Sequence, residues 1–101
     1  MIRVKFKDII YFKSDGRKVI IMTADGQDSF HGVMKDIEEK LKDVGFICIH
    51  RGCIVNYRHV KRFGYKDVTM SDGTVLAISK DKRAEVQEIQ MQIEGGDMFG
   101  D

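Results

Sequence analysis

The feature that most constrains this chain is a period-two alternation of apolar and polar residues, carried by short segments with turn residues between them. Successive side chains of a β-strand point to opposite faces, so this period predicts half-buried strands. We expect strands at 3–7, 9–13, 18–23, 27–30, 47–50, 62–65, 67–70 and 75–78. Typical turn sequences between these segments are Ser14-Asp15-Gly16, Asp25-Gly26 and Ser71-Asp72-Gly73.

Two segments follow the helical period instead. In 33–44, one side of the predicted helix carries the apolar residues Val33, Met34, Ile37, Leu41 and Val44. The segment 80–93 has a narrower apolar stripe, and 94–101, with three glycines and three acids, is expected to be a flexible tail. No βαβ alternation is present. The sequence therefore predicts a mainly β domain over 1–93, built from several small antiparallel sheets and one packed amphipathic helix.

Composition sets the broad class of the protein. With 101 residues, 43% hydrophobic and 33% charged, the chain has the values of a single globular domain. It has neither an apolar run long enough to span a membrane nor a signal-peptide pattern, so we expect no membrane partner and a cytoplasmic location. Cys48 and Cys53 are too few for a disulfide framework or a zinc site, and we expect thiols and no metal.

The sequence contains no recognisable catalytic constellation. His31, His50 and His59 have no metal-ligand or nucleophile spacing, and no phosphate-binding glycine loop is present. His31 is most simply a polar residue at a strand end, whereas His50 suits either a structural role or a phosphate-side donor. Cys53, two residues after Arg51, is either a reactive thiol or, as we favour, a small buried hydrophobe. We expect no enzyme activity and no cofactor.

Basic charge is concentrated in residues 46–66. This segment contains five Lys or Arg residues, two histidines and no acid, although the whole chain has 17 basic and 16 acidic residues. Short apolar runs within it, 47–49 and 53–55, would fix the cations on a scaffold. Such a field suits a polyanionic ligand, and the alternative is an ordinary solvated face.

The order of the motifs resembles the LytTR family of bacterial DNA-binding domains. The resemblance covers about the first 85 residues and is carried by Phe30-His31-Gly32 before the helix, Gly45-Phe-Ile-x-Ile-His-Arg51, Ile54-Val-Asn-x-x-His-Val60 and Asp72-Gly-Thr-x-Leu-x-Ile-Ser-Lys80. It implies a mainly antiparallel β fold that reads duplex DNA through loop side chains in the major groove. Such domains usually follow a phosphoacceptor receiver domain in response regulators.

The resemblance also implies which residues contact DNA. The base-reading loops of the family match Arg17, with Lys18 beside it, Arg51 and Lys80. The contact of Lys80 with DNA would be weakened because the neighbouring Asp81 repels phosphate. The neighbouring Asn-x-x-His turn would contact the DNA phosphates through Asn56, Tyr57 and Arg58. The side-chain amide of Asn56 is also suited to hold the turn itself.

Two functions remain open from the sequence. The first is sequence-specific binding of double-stranded DNA as a transcription-regulator output domain, monomeric alone and paired on tandem repeat sites. The second is a protein-interaction module on the same scaffold, which the near-neutral pI of 7.8 favours. If DNA is the ligand, Arg17, Arg51, Arg58 and Lys80 are expected to share one face.

Overall fold

A computed structural model describes residues 4–95 as a mainly β domain. The strands are β1 (Ile9–Asp15), β2 (Lys18–Thr23), β3 (Gly26–His31), β4 (Phe46–His50), β5 (Cys53–Asn56), β6 (Val60–Phe63), β7 (Asp67–Met70) and β8 (Val75–Ala77). The helices are α1 (Met34–Leu41) and α2 (Arg83–Glu94), and 3₁₀ turns cover Phe6–Asp8, Tyr57–His59 and Lys80–Lys82. The predicted fold class is confirmed.

Two antiparallel sheets form the body of the domain. The larger has the strand order β3-β2-β1-β5-β4, and the smaller has the order β6-β7-β8. The central strand, β1, pairs with β2 on one side and with β5 on the other, where Lys13 lies opposite Cys53. Because neighbouring strands run in opposite directions, the β1–β2 and β4–β5 turns lie at the same end of the sheet. We call this the turn end.

Hydrophobic side chains pack on both faces of the larger sheet. On one face, Ile49 and Val55 are fully buried in a cluster with the smaller sheet and Val86 of α2. On the other face, Phe12 shares a cluster with Leu41 of α1. Both helices thus pack on the larger sheet, whereas the sequence predicted one packed helix. Because both faces of the larger sheet are covered, the strands that lead to the turn end are held in place by side-chain packing from both sides.

The first helix is shorter than its apolar pattern predicted. Its buried residues are Met34 and Leu41, the first and last of the helix. Val33 and Val44 lie outside it and are 60% and 44% exposed, so their place in the predicted apolar stripe was wrong. Gly45 has a φ of 91°, a conformation that glycine adopts at little cost, and it turns the chain into β4.

Three other segments differ from the sequence prediction. Residues 4–8 contain a 3₁₀ turn where a strand was expected, and 53–56 form the strand β5, which was identified only as a buried apolar run. The helix expected at 80–93 begins as a 3₁₀ turn and continues as α2, whose Glu94 carboxylate accepts a hydrogen bond from the Tyr57 hydroxyl. Residues 96–101 of the expected flexible tail lie outside the described residues.

Asn56 explains the bend at the start of the chain. Its side-chain amide is buried and donates to the carbonyl oxygens of Phe6 at 3.0 Å and Ile9 at 2.8 Å, while its Oδ1 accepts from the Arg58 N–H at 3.1 Å. One side chain therefore ties the 3₁₀ turn before β1 to the 3₁₀ turn after β5. The amide thus binds one carbonyl of the first turn, that of Phe6, and the carbonyl of Ile9 at the start of β1.

We expect Asn56→Ala to lower the free energy of unfolding by about 2–3 kcal/mol, because it removes the three hydrogen bonds that this buried side chain makes to the backbone of Phe6, Ile9 and Arg58. Urea denaturation of the variant and the wild type measures this change. Thr69→Ala, a partly buried residue of β7 without such side-chain bonds, is a control. A loss for Asn56→Ala no greater than that of the control would show that the amide does not hold this junction.

Candidate nucleic-acid interface

The β1–β2 turn presents the first predicted DNA-contact residue. The turn consists of Gly16 and Arg17, and Gly16 has a φ of 63°, which favours glycine. Arg17 and the following Lys18 are both exposed. The tight turn between two paired strands holds the Arg17 backbone at the turn end and leaves its guanidinium in solvent.

The β4–β5 turn lies against the end of β1. The Ser14 N–H donates to the Gly52 carbonyl oxygen over 3.0 Å, which extends the β1–β5 pairing into the turn. A Cβ atom at Gly52 would lie 2.8 Å from Ser14 Oγ, so glycine permits this close approach. Within the turn, His50 Nδ1 accepts a 3.0 Å hydrogen bond from the Gly52 N–H. Arg51 is therefore exposed on a turn that is braced on both sides.

Lys80 reaches the same end of the sheet through a single backbone contact. The Ser79 N–H donates to the Ile49 carbonyl oxygen over 2.9 Å, at the outer edge of β4 and one residue before His50. Lys80 then begins the 3₁₀ turn that leads into α2, and both Lys80 and Asp81 are exposed. The third predicted loop is thus beside the second.

The three loops form one row across the turn end, in the spatial order Arg17, Arg51, Lys80. Paired strands are about 4.8 Å apart, so the strands from β2 to β4 and the Ser79 segment beside them space this row over roughly 20 Å. We call this row, with Lys18, the reader row. The local β1–β2 pairing holds the backbone of Arg17, and the Ser14–Gly52 and Ser79–Ile49 hydrogen bonds join the other two loops to segments distant in sequence.

Lys13 is a cation of this surface that the sequence analysis did not single out. It is exposed on β1, two residues before the end of the strand and directly opposite Cys53, the first residue of β5 after the β4–β5 turn. In the sequence, the position of Lys13 directly after the apolar segment 9–12 could have indicated a cation held on a strand. Acidic side chains at the same end are Asp15, which pairs in register with Lys18, and Asp81.

The structure does not bring Asn56, Tyr57 and Arg58 to the reader row. Asn56 ends β5, and Tyr57 and Arg58 follow it; the four residues of β5 span about 10 Å from the turn end to the opposite end of the sheet. Asn56 is buried and holds the turn, and Tyr57 packs on Phe63 and bonds Glu94; burial and this carboxylate raise the pKa of Tyr57 to about 12. Arg58 is exposed, but on a different part of the surface from Arg51.

Cys53 is buried and Cys48 is partly buried, and the pKa of each thiol is raised rather than lowered. Burial raises the pKa of Cys53 to about 12, and the pKa of Cys48 is raised mainly by burial and also by Glu38. Within residues 4–95, no group of three or more His, Cys, Asp or Glu side chains is placed to hold a metal ion. In the same part of the chain, neither helix is long and apolar enough to cross a bilayer.

Exposed cations thus lie on turns at one end of the larger antiparallel sheet, and comparison with known proteins identifies the family of the chain. The LytTr DNA-binding domain family matches residues 1–91. The chain therefore belongs to this family of DNA-binding domains, as its motifs predicted.

Individual relatives agree with the family assignment. The sensory transduction protein LytT of Bacillus subtilis (strain 168) is 29% identical over 91 residues, which cover 85% of this chain and 38% of LytT. The LytTr DNA-binding domain of a Bacillus cereus response regulator matches with a TM-score of 0.79 at 20% identity, over 88% of this chain and 86% of that domain. The chain thus spans well under half the length of the Bacillus subtilis relative, and the structural match shows the fold.

We expect Cys53 to react with iodoacetamide at pH about 8 roughly a thousandfold more slowly in the folded domain than in urea, because the thiolate is the nucleophile and burial suppresses it. A Cys48→Ser variant isolates the Cys53 signal, and mass spectrometry follows the reaction. Equal rates in the folded and unfolded chain would contradict this, and would restore Cys53 as a reactive thiol beside Arg51.

Proposed function

We propose that this domain binds duplex DNA sequence-specifically through the reader row and acts as the output domain of a transcription regulator. The observation that carries the proposal is the meeting of Arg17, Arg51 and Lys80 at the turn end, which the Ser14–Gly52 and Ser79–Ile49 hydrogen bonds hold together. A row of separated, exposed cations on fixed turns is what recognition by loops requires.

The chemistry of each loop suggests its role in the major groove. A guanidinium presents a planar fork that matches the O6 and N7 acceptors of guanine, so Arg17 and Arg51 are proposed to read bases. Lys80 offers a point charge, and the adjacent Asp81 repels phosphate, so its contribution is smaller. Lys13 and Lys18 are exposed on the strands beside the turns, and we propose that they contact the DNA backbone.

Arg51→Ala tests the assignment of a base reader. We expect it to cost about 1–3 kcal/mol of binding free energy on the preferred site and much less on random DNA, because a base contact carries the sequence information. Arg17→Ala is expected to behave alike, and Lys80→Ala more weakly. Fluorescence anisotropy at fixed salt measures both affinities, with the preferred site chosen by selection from random duplexes.

Arg58→Ala is the matched control for this experiment. It removes one exposed arginine, as Arg51→Ala does, but at the opposite end of the larger sheet. The proposal leaves Arg58 out of the contacts, so the control should keep affinity and sequence preference close to the wild type. Equal losses on both DNAs for Arg51→Ala would remove it from the base readers. A larger loss for Arg58→Ala would move the binding surface to the other end.

Salt dependence separates this proposal from a protein-interaction module. If the domain neutralises about four to six phosphates, the logarithm of affinity should fall against the logarithm of salt concentration with a slope of roughly −4 to −5. Titrations at several salt concentrations with one duplex give the slope. A flat response, or no duplex binding at low salt, would favour the protein-interaction module.

We further propose that the isolated domain is a monomer that pairs on tandem sites about one helical turn apart. The longest dimension of the domain is 36 Å, close to the roughly 34–36 Å between such sites, so two copies fit side by side on one face of the duplex. The name of the Bacillus subtilis relative and its greater length support a regulator in which a second domain, such as a receiver, senses the signal.

A further inference from the structure

The end of β3 places His31 beside the reader row. Pairing of β2 with β3 sets His31 directly opposite Lys18, and the Gly32 N–H donates to the Arg17 carbonyl oxygen over 3.3 Å. Residues directly opposite in an antiparallel pair carry their side chains on one face, with Cβ atoms about 5 Å apart. His31 is therefore the next position of the row after Lys18, on the side away from Arg51.

His31 differs from the other two histidines in its bonding. His50 Nδ1 accepts the Gly52 N–H, and the His59 ring lies between the Lys7 carbonyl oxygen at 2.6 Å and Ser71 Oγ at 3.2 Å. The ring of His31 is exposed and makes no hydrogen bond to any residue from 4 to 95. Both of its nitrogens are open to an external ligand.

The surroundings of His31 favour an anion. A groove of about 580 Å³ beside the β1–β2 turn is lined by Arg17, Lys18 and His31, and no acidic residue lines it. The nearest acid across the sheet is Asp15, which has Lys18 between it and His31. The charged groups that face or adjoin His31 are Lys18 from β2, Arg17 from the turn, Asp15 from β1, and Lys35 and Asp36 at the start of α1.

We propose that this groove binds a phosphate of the DNA backbone between Lys18 and a protonated His31, so that DNA binding takes up one proton from solvent at the imidazole. The proposal rests on the DNA binding proposed above. A phosphate between Lys18 and His31 would stabilise the positive charge of a protonated imidazole. The result is an affinity for DNA that rises as the solution is acidified.

The experiment compares the wild type, His31→Gln and His59→Gln on one duplex at constant ionic strength, at pH about 6 and about 7.5, the range in which imidazoles change charge. We expect the wild type and His59→Gln to bind several-fold more tightly at the lower pH, and His31→Gln to lose this difference. His59→Gln is the control because His59 lies in the 3₁₀ turn after β5, at the other end of the larger sheet from the reader row.

A second pair of variants tests the phosphate contact itself. Lys18→Ala should reduce the slope of log affinity against log salt by about 0.9, the value for one phosphate. Lys42→Ala should leave the slope unchanged, because Lys42 is exposed at the far end of α1, about 12 Å along the helix from Met34.

The outcomes separate this proposal from the proposed function. If the wild type binds the duplex but shows no pH dependence, or if His31→Gln keeps it, the phosphate groove is overturned while DNA binding stands. An unchanged salt slope for Lys18→Ala also counts against the groove. If the wild type fails to bind duplex DNA at either pH, the proposed function falls and the groove proposal falls with it.

Discussion

The site depends on the antiparallel pairing of β5 with β1. This pairing places Cys53 opposite Lys13 and continues into the hydrogen bond from Ser14 to Gly52, so the β4–β5 turn lies against the end of β1. Since β1 also pairs with β2, the β1–β2 turn is at the same end. Without β5 between β1 and β4, Arg51 would have no fixed position relative to Arg17, and Lys80, held through Ile49 of β4, would lose its place as well.

The residues near these turns divide into those that hold the backbone and those that face solvent. Gly52, His50 and Ser14 brace the Arg51 turn, and Asn56 performs the same task at the opposite end of β5. Arg17 and Arg51 are exposed on the turns that these contacts hold. A side chain on a braced turn loses less conformational entropy on binding than one on a mobile loop, which favours recognition by a few cations.

Local patterns in the sequence predicted much of this fold. They failed where the structure of a segment depends on contacts with residues distant in sequence. The mostly apolar segment 9–13, the β-branched run 18–23 and the turns at 14–16 and 25–26 predicted the β1–β2 and β2–β3 hairpins, since each strand pairs with its neighbour in sequence. Residues 3–7 alternate as well, but the buried Asn56 amide takes the carbonyls of Phe6 and Ile9. Similarly, the proximity of Arg58 to Arg51 in sequence suggested one surface, and β5 places them at opposite ends of the sheet.

The central claim is that one end of the larger sheet contacts DNA. Nuclear magnetic resonance of the isotopically labelled domain, titrated with a short duplex, tests it most directly, because it maps backbone amides without altering any side chain. We expect shift changes to concentrate at residues 16–18, 31–32, 50–52 and 79–81, with 57–59 unaffected. Changes concentrated at 57–59, at the end of the sheet where β5 finishes, with none at the three turns, would contradict DNA contact through the turn end.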